Sequence, residues 1–255
     1  MKKSYLLVSI LILLDLLFIP NSAYAEEKFE IISEVTKYYK TITYTPSLSV
    51  NYFDLNSIKS NSVTYEITEE EYNSVEDNNL VIASNGKTET TYKRMTTSIL
   101  TNGSYYRYKN ELTWKNMPAS RSYDIIGIGF FSTVKVRSNS TNFSMSYCYT
   151  DGSCYTNTTN YPQIFSNGAG TTFKLPTGEL RSLNQIFYFD VEKNTTNTLN
   201  VQEVYGDYSH ATSSILLLNA IKYTVNQSLG IVLDSSVSGY YDSMNAARAV
   251  WTGTW

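Results

Sequence analysis

Apolar and polar positions alternate with a period of two along much of the chain, the pattern of strands with one buried face. It is clearest where Tyr106, Tyr108, Leu112 and Trp114 point one way while Arg107, Lys109, Glu111 and Lys115 point the other. Asn102-Gly103 just upstream reads as a type I′ hairpin turn, which makes residues 88–101 the partner strand. A second strand sets Ile126, Ile128, Phe130, Val134 and Val136 against Gly127, Gly129, Thr133, Lys135 and Arg137. The bare Gly127-x-Gly129 lacks the third glycine and following helix of a dinucleotide loop, so it is expected where large opposing side chains lie flat on the sheet.

Phe143, Met145, Tyr147 and Tyr149 alternate with Ser144, Ser146, Cys148 and Thr150 before Asp151-Gly152 turns the chain. Further strands are expected near 171–175, 186–192 and 199–205, from Ile215 to Val225, where the Leu216–Lys222 stretch also reads as helix, and from Ala246 to Trp255. Pro176-Thr177-Gly178 and Asn194-Thr195-Thr196-Asn197 supply turn and loop chemistry between them. Helix signals are few. Thr68-Glu69-Glu70-Glu71 has capping-box spacing with acids in the first turn, and a second short helix is expected around Val237 to Met244. Residues 29–44 fit neither period well, and no repeat or Pro/Gly-rich linker divides the chain. The expectation is a mainly β fold: an antiparallel β-sandwich of roughly ten strands with one or two short helices. Residues 26–255 are expected as one secreted domain, with 26–85 alternatively an N-terminal extension or subdomain.

Composition agrees with this pattern. Among 255 residues there are 31 Ser, 29 Thr, 23 Asn and 23 Tyr, a strand and turn vocabulary poor in helix formers. Two Cys and one His exclude a single-chain Cys/His zinc site, a haem ligand pair or an iron–sulfur cluster. No cofactor and no metal are expected.

Lys2 and Lys3, an apolar run from Tyr5 to Pro20, and Ala23-Tyr24-Ala25 match a secretory signal cleaved after Ala25. The run falls short of the ~20 residues that span a bilayer and is interrupted by Asp15, so no transmembrane segment is expected after cleavage. Removing residues 1–25 leaves 18 basic against 22 acidic groups, which gives no reason to expect nucleic acid as a partner. Leu175-Pro176-Thr177-Gly178 lacks the residue between Pro and Thr of a wall-sorting motif, and a turn is the better reading. The chain is therefore expected to be extracellular.

In an oxidising compartment Cys148 and Cys154, flanking the Asp151-Gly152 turn, are expected to form a cross-hairpin disulfide. They lack the two-residue spacing of a redox pair. His210, the only imidazole, is expected as a turn-capping or surface residue, with no G-x-S-x-G to accompany it. The Ser84-x-x-Lys87 and Ser132-x-x-Lys135 spacings are what a Ser-rich chain produces by chance. Glu69, Glu70, Glu71, Glu76 and Asp77 are expected as a solvated helix face rather than a calcium loop. Pro118 is expected to break the strand after Trp114, and Arg121 beside Asp124 to form a loop-bracing ion pair. No catalytic residue is assigned. The strongest functional hint is tyrosine at turns and strand ends, with Tyr105, Tyr123, Tyr149, Tyr155 and Tyr161 as candidate contacts: an exposed phenol offers flat apolar area plus a hydroxyl at low entropic cost.

The run Trp114-Lys115-Asn116-Met117-Pro118-Ala119-Ser120-Arg121-Ser122-Tyr123-Asp124, continuing to Gly129, resembles a segment of an uncharacterised family of secreted β-rich proteins of Gram-positive bacteria with no assigned activity. Tyr208-Ser209-His210-Ala211 and Tyr241-Asp242-Ser243-Met244 are similar too, so the resemblance spans residues 88–255. It implies a secreted β-rich protein and no catalytic residues to carry over.

Three function classes remain. The first is a non-catalytic binding or interaction protein of the bacterial surface, whose partner is a cell-envelope polysaccharide or a surface protein. The second is a hydrolase acting through carboxylates such as Glu111, Asp124 or Asp190. The third is a membrane-active β-protein using residues 88–101, against which the adjacent Lys93 and Arg94 place charge on both strand faces.

Overall fold

The computed structural model describes residues 28–45, 61–75, 87–212, 221–242 and 244–255. The signal sequence, Glu76, Asp77, Ser84 and the start of the strand expected from Ile215 lie outside them. The described residues form β1 (Glu30–Thr45), β2 (Asn61–Ile67), α1 (Glu69–Ser74), β3 (Lys87–Thr101), β4 (Tyr106–Trp114), β5 (Tyr123–Phe130), β6 (Val134–Val136) and β7 (Asn142–Tyr149). They continue with β8 (Cys154–Asn157), β9 (Tyr161–Phe165), β10 (Gly168–Lys174), β11 (Leu180–Lys193), β12 (Val201–Ser209), β13 (Tyr223–Asn226), β14 (Gly230–Leu233) and β15 (Ala247–Thr252).

Two antiparallel sheets pack face to face as a β-sandwich. The long sheet runs β2-β1-β3-β4-β11-β7-β8, with β6 also on β11, and the short sheet runs β15-β12-β5-β10-β9. β4 alternates buried and half-buried along its length, as its sequence pattern requires. The long sheet contributes Met95, Ile99, Tyr108, Leu112, Trp114, Phe143 and Phe187 to the core; the short sheet answers with Ile126, Ile128, Phe130, Phe173, Val204 and Tyr208. Burying such side chains against each other is the main term holding the sheets together, about 1.5–3 kcal/mol for each large one.

The short sheet carries a third layer. The β13–β14 hairpin lies on the outer face of the short sheet, where Ile125, Ala211, Ile221, Tyr223, Val225, Val237 and Tyr241 form a second apolar cluster. β5 is consequently buried on both faces. Gly127 and Gly129 pair across the strands with Gly170 and Gly168, making a bare platform for the hairpin. A Cβ on Gly129 would land on the Asn226 carbonyl oxygen, and one on Gly168 would meet the side chain of Val225. The bare glycines are thus where an opposing strand lies flat.

Several expectations are corrected. The single strand expected from Ile126 to Val136 is two: β5 belongs to the short sheet, while β6 pairs β11 in the long one. The β3–β4 connection is a four-residue loop from Asn102 to Tyr105 rather than a two-residue turn, because Thr101 pairs Tyr106 and the Asn102 side chain accepts from the Ser104 and Tyr105 amides. Among the described residues around Val237 to Met244, the only helical element is a 3-10 turn, Ser238–Tyr240. Residues 30–45 form one long strand between β2 and β3, with an irregularity between Ile31 and Ser33 that throws the period out of step. Residues 88–101 are an interior strand of the long sheet rather than a free amphipathic hairpin. α1 begins as its capping residues require, with the Thr68 side chain accepting from the Glu71 amide at 3.1 Å. Gly152 and Gly178 take positive φ in the two turns expected to need them.

Candidate functional site

The accessible candidate is the β7–β8 hairpin at one edge of the long sheet. Cys148 pairs Cys154 in register, and the two form a disulfide across the turn. The Asp151 side chain accepts from the Ser153 amide and hydroxyl at 2.8 and 2.6 Å, which fixes the turn itself. β7 runs past the edge of the core, so the residues that continue its apolar face, Tyr147 and Tyr149, are only half-buried. Tyr147 pairs Tyr155, and their rings stack with centroids 5.7 Å apart; Tyr149 packs edge-on to both, at 5.6 and 5.9 Å. Tyr155 is 53% exposed. Desolvation, reinforced by the neighbouring phenols, raises the Tyr147 phenol above its usual value and keeps it neutral. On the opposite face of the same strands, Thr113, Ser146, Thr156, Ser182 and Asn184 line a shallow groove of about 300 Å³.

The structure brings Tyr149 and Tyr155 together and adds Tyr147, whose place on the apolar face of β7 could have marked it. It disperses the other candidates. Tyr105 adjoins Tyr106, which pairs Val191, whereas Tyr149 pairs Leu180, so the two lie at opposite ends of β11, roughly 35 Å apart by strand rise. Tyr105 packs instead on Phe29 and under Arg137. The carbonyl of half-buried Tyr123 accepts from Tyr241. Tyr161 is exposed on β9, an edge strand of the short sheet rather than of the long one.

The second concentration of chemistry is buried where the sheets meet the third layer. Asp124 accepts from the Tyr208 hydroxyl, from His210 Nδ1 at 3.0 Å and from the Ala211 amide at 3.0 Å. His210 is therefore a core residue rather than a surface one; its ring also packs on Trp114 at 5.0 Å. The expected Arg121–Asp124 ion pair is absent, because those three donors occupy the carboxylate. Arg121 Nη1 is buried without a hydrogen-bond partner, and desolvation lowers the guanidinium pKa, partly offset by the charges of Glu89 and Asp124. Lys93 pairs in register with Tyr39 on one side and Trp114 on the other, which aims its side chain into the sandwich, where Nζ meets the Asp242 carboxylate. Both side chains are fully buried. Asp207 accepts from the Tyr208 and Ile231 amides at 2.7 Å, and burial pushes its carboxyl up to about 7.

The carboxylates considered for hydrolysis do not converge. Glu111 binds Lys109 and Asn184, while Asp190 is held by Arg107. Glu111, on β4, pairs with Ile186, four positions from Asp190 along β11 and so roughly 13 Å away along the strands, and Asp124 belongs to the other sheet. Among the described residues, no group of three or more His, Cys, Asp or Glu side chains is arranged to hold a metal ion, and no helix is long and apolar enough to cross a membrane.

No family model and no curated protein matches the chain. Solved structures show distant likenesses. The collagen-binding domain of a Staphylococcus aureus adhesin is 10% identical with a TM-score of 0.27, over 40% of this chain and 74% of that one. The collagen-binding domain of Erysipelothrix rhusiopathiae surface protein RspB is 6% identical with a TM-score of 0.31, over 89% and 96%. The Streptococcus pneumoniae pilus backbone RrgB is 6% identical with a TM-score of 0.32, over 59% and 68%. Likenesses of this size assign neither a ligand nor an activity.

Proposed function

We propose that this chain is a secreted, non-catalytic binding or interaction protein of the bacterial cell surface, and that it takes a cell-envelope polysaccharide or a surface protein through the β7–β8 edge. The observation that carries this reading is the three-ring cluster of Tyr147, Tyr149 and Tyr155 on a hairpin tied by its own disulfide. Rings fixed against one another lose little freedom on binding, and the phenolic hydroxyl groups offer hydrogen bonds to a polar ligand. The signal-like N terminus and the resemblance to secreted proteins of Gram-positive bacteria supply the setting. Dispersal of Glu111, Asp124 and Asp190 weighs against the hydrolase reading, and the interior position of β3 against the membrane-active one.

Co-sedimentation of the purified protein with whole Gram-positive cell walls tests the proposal, using walls before and after removal of protein and secondary polymers. Retention competed by soluble wall glycan supports a polysaccharide ligand, and retention lost when wall protein is removed supports a protein one. Absence of retention on every preparation contradicts an envelope-binding role.

A further inference from the structure

Lys93 and Asp242 are 149 positions apart, and both side chains are fully excluded from water. Nζ donates a hydrogen bond to Asp242 Oδ2. Aromatic faces enclose the amine, with the Trp114 ring centroid 4.9 Å and the Tyr208 centroid 5.8 Å away. Burial strips the pair of its hydration, and the direct contact gives a proton a path from Nζ to Oδ2 without intervening water. The carboxyl group is also held for attack. The His210 amide donates to Oδ1 at 2.7 Å, and the Thr41 hydroxyl donates to Oδ2 at 3.4 Å.

We propose that Lys93 and Asp242 condense to an intramolecular amide, a self-formed cross-link between the long sheet and the segment leading into β15. The lysine ammonium passes one proton to Asp242 Oδ2, and the free amine then attacks Cγ. The developing negative charge on Oδ1 is met by the His210 amide, which is placed as an oxyanion donor. A second proton moves from nitrogen to Oδ2, the Cγ–Oδ2 bond breaks, and Oδ2 leaves as water. The balance closes within the pair: ammonium and carboxylate give a secondary amide and one water, with no oxidant, metal or co-reactant. Asp242 lines a cleft of about 540 Å³ with Asp207, Tyr241 and Asn245, through which the water can leave. The reaction needs the finished fold, because only folding brings together groups this far apart in sequence. This cross-link is independent of what the protein binds.

Mass spectrometry of the purified full chain tests this, after its N terminus has been determined and its disulfide reduced. The denatured wild type is expected to be lighter than its sequence by one water. Digestion should yield a branched peptide joining Lys93 to the segment carrying Asp242, with no tryptic cleavage after Lys93. K93M and D242A are expected at full sequence mass. D242N is the sharpest variant: condensation there would release ammonia and give the same amide, hence the same mass as the cross-linked wild type. Wild type at full sequence mass, with no branched peptide, overturns the proposal, as does water loss that persists in K93M. Should the variants fail to fold, the wild-type mass and branched peptide decide alone.

Discussion

His210 Nδ1 lies 3.0 Å from both carboxylate oxygens of Asp124, 86 positions earlier in the chain, and neither side chain is accessible. This contact fastens the end of β12 to the start of β5 at the lip of the core. Replacing His210 by alanine leaves a buried carboxylate short of a donor, and a loss of about 1–3 kcal/mol is expected in denaturant unfolding. Asp124→Ala should cost more, because it orphans the Tyr208 hydroxyl, the imidazole and the Ala211 amide together. A loss below about 0.5 kcal/mol for either variant would place the contact outside the folded state's needs.

The glycine platform sets a second expectation. In Gly129→Ala the new methyl group meets backbone, the Asn226 carbonyl, which cannot swing aside as a side chain would. Overpacking of this kind costs about 1–3 kcal/mol. Hydrogen exchange in β13 and β14 should rise more than in β3 and β4, since the hairpin is the layer displaced. Uniform loss of protection across both sheets would contradict a separable third layer.

Asp207 makes stability depend on pH. Burial raises its carboxyl from 3.8 to about 7 in the folded protein, so between these values the native state holds a proton that the unfolded chain has released. Stability from this group is therefore fully present below about pH 4, falls as pH rises toward 7, and is level above it. Asp207→Asn should flatten that slope, though the amide loses one of the two backbone donors that the carboxylate accepts. Thermal unfolding of both proteins from pH 4 to 8 measures it, and an unchanged slope in the variant would assign the dependence elsewhere.

The disulfide closes a short loop, so its entropic contribution to global stability is about 2 kcal/mol at most. Reduction should shift the unfolding midpoint only modestly while loosening the tyrosine cluster, seen as faster ring flipping of Tyr147 and Tyr155 by NMR. Collapse of the whole fold on reduction would show that the hairpin supports the core rather than resting on it.

The β architecture was legible because β4 and β7 each bury one face, and a period of two records that in the residues themselves. β5 was legible as a strand but not as a doubly buried one: bare glycines record that something approaches closely, not that β13 and β14 do so. Lys93 looked like a charge that spoils an amphipathic strand. It faces inward while Arg94 faces out, and its partner Asp242 is too distant in sequence for any local pattern to announce. The buried place of His210 is hidden for the same reason, since Asp124 lies on another strand. At the candidate surface, alternation and the cysteine spacing pointed to the hairpin. Which tyrosines share a face was decided by the register of β7 on β8, and Tyr105 was lost because its strand end lies far along the sheet.

The central claim is that the tyrosine cluster is the contact surface, and the most direct measurement compares wall retention of wild type with Tyr155→Ala and Tyr147→Ala. Tyr65→Ala, which removes a comparably exposed ring on β2, serves as the control. The expected result is a roughly tenfold or greater loss of apparent affinity in the two cluster variants, with the control unchanged. Equal retention of all four proteins would contradict the account and move the contact surface away from the β7–β8 edge.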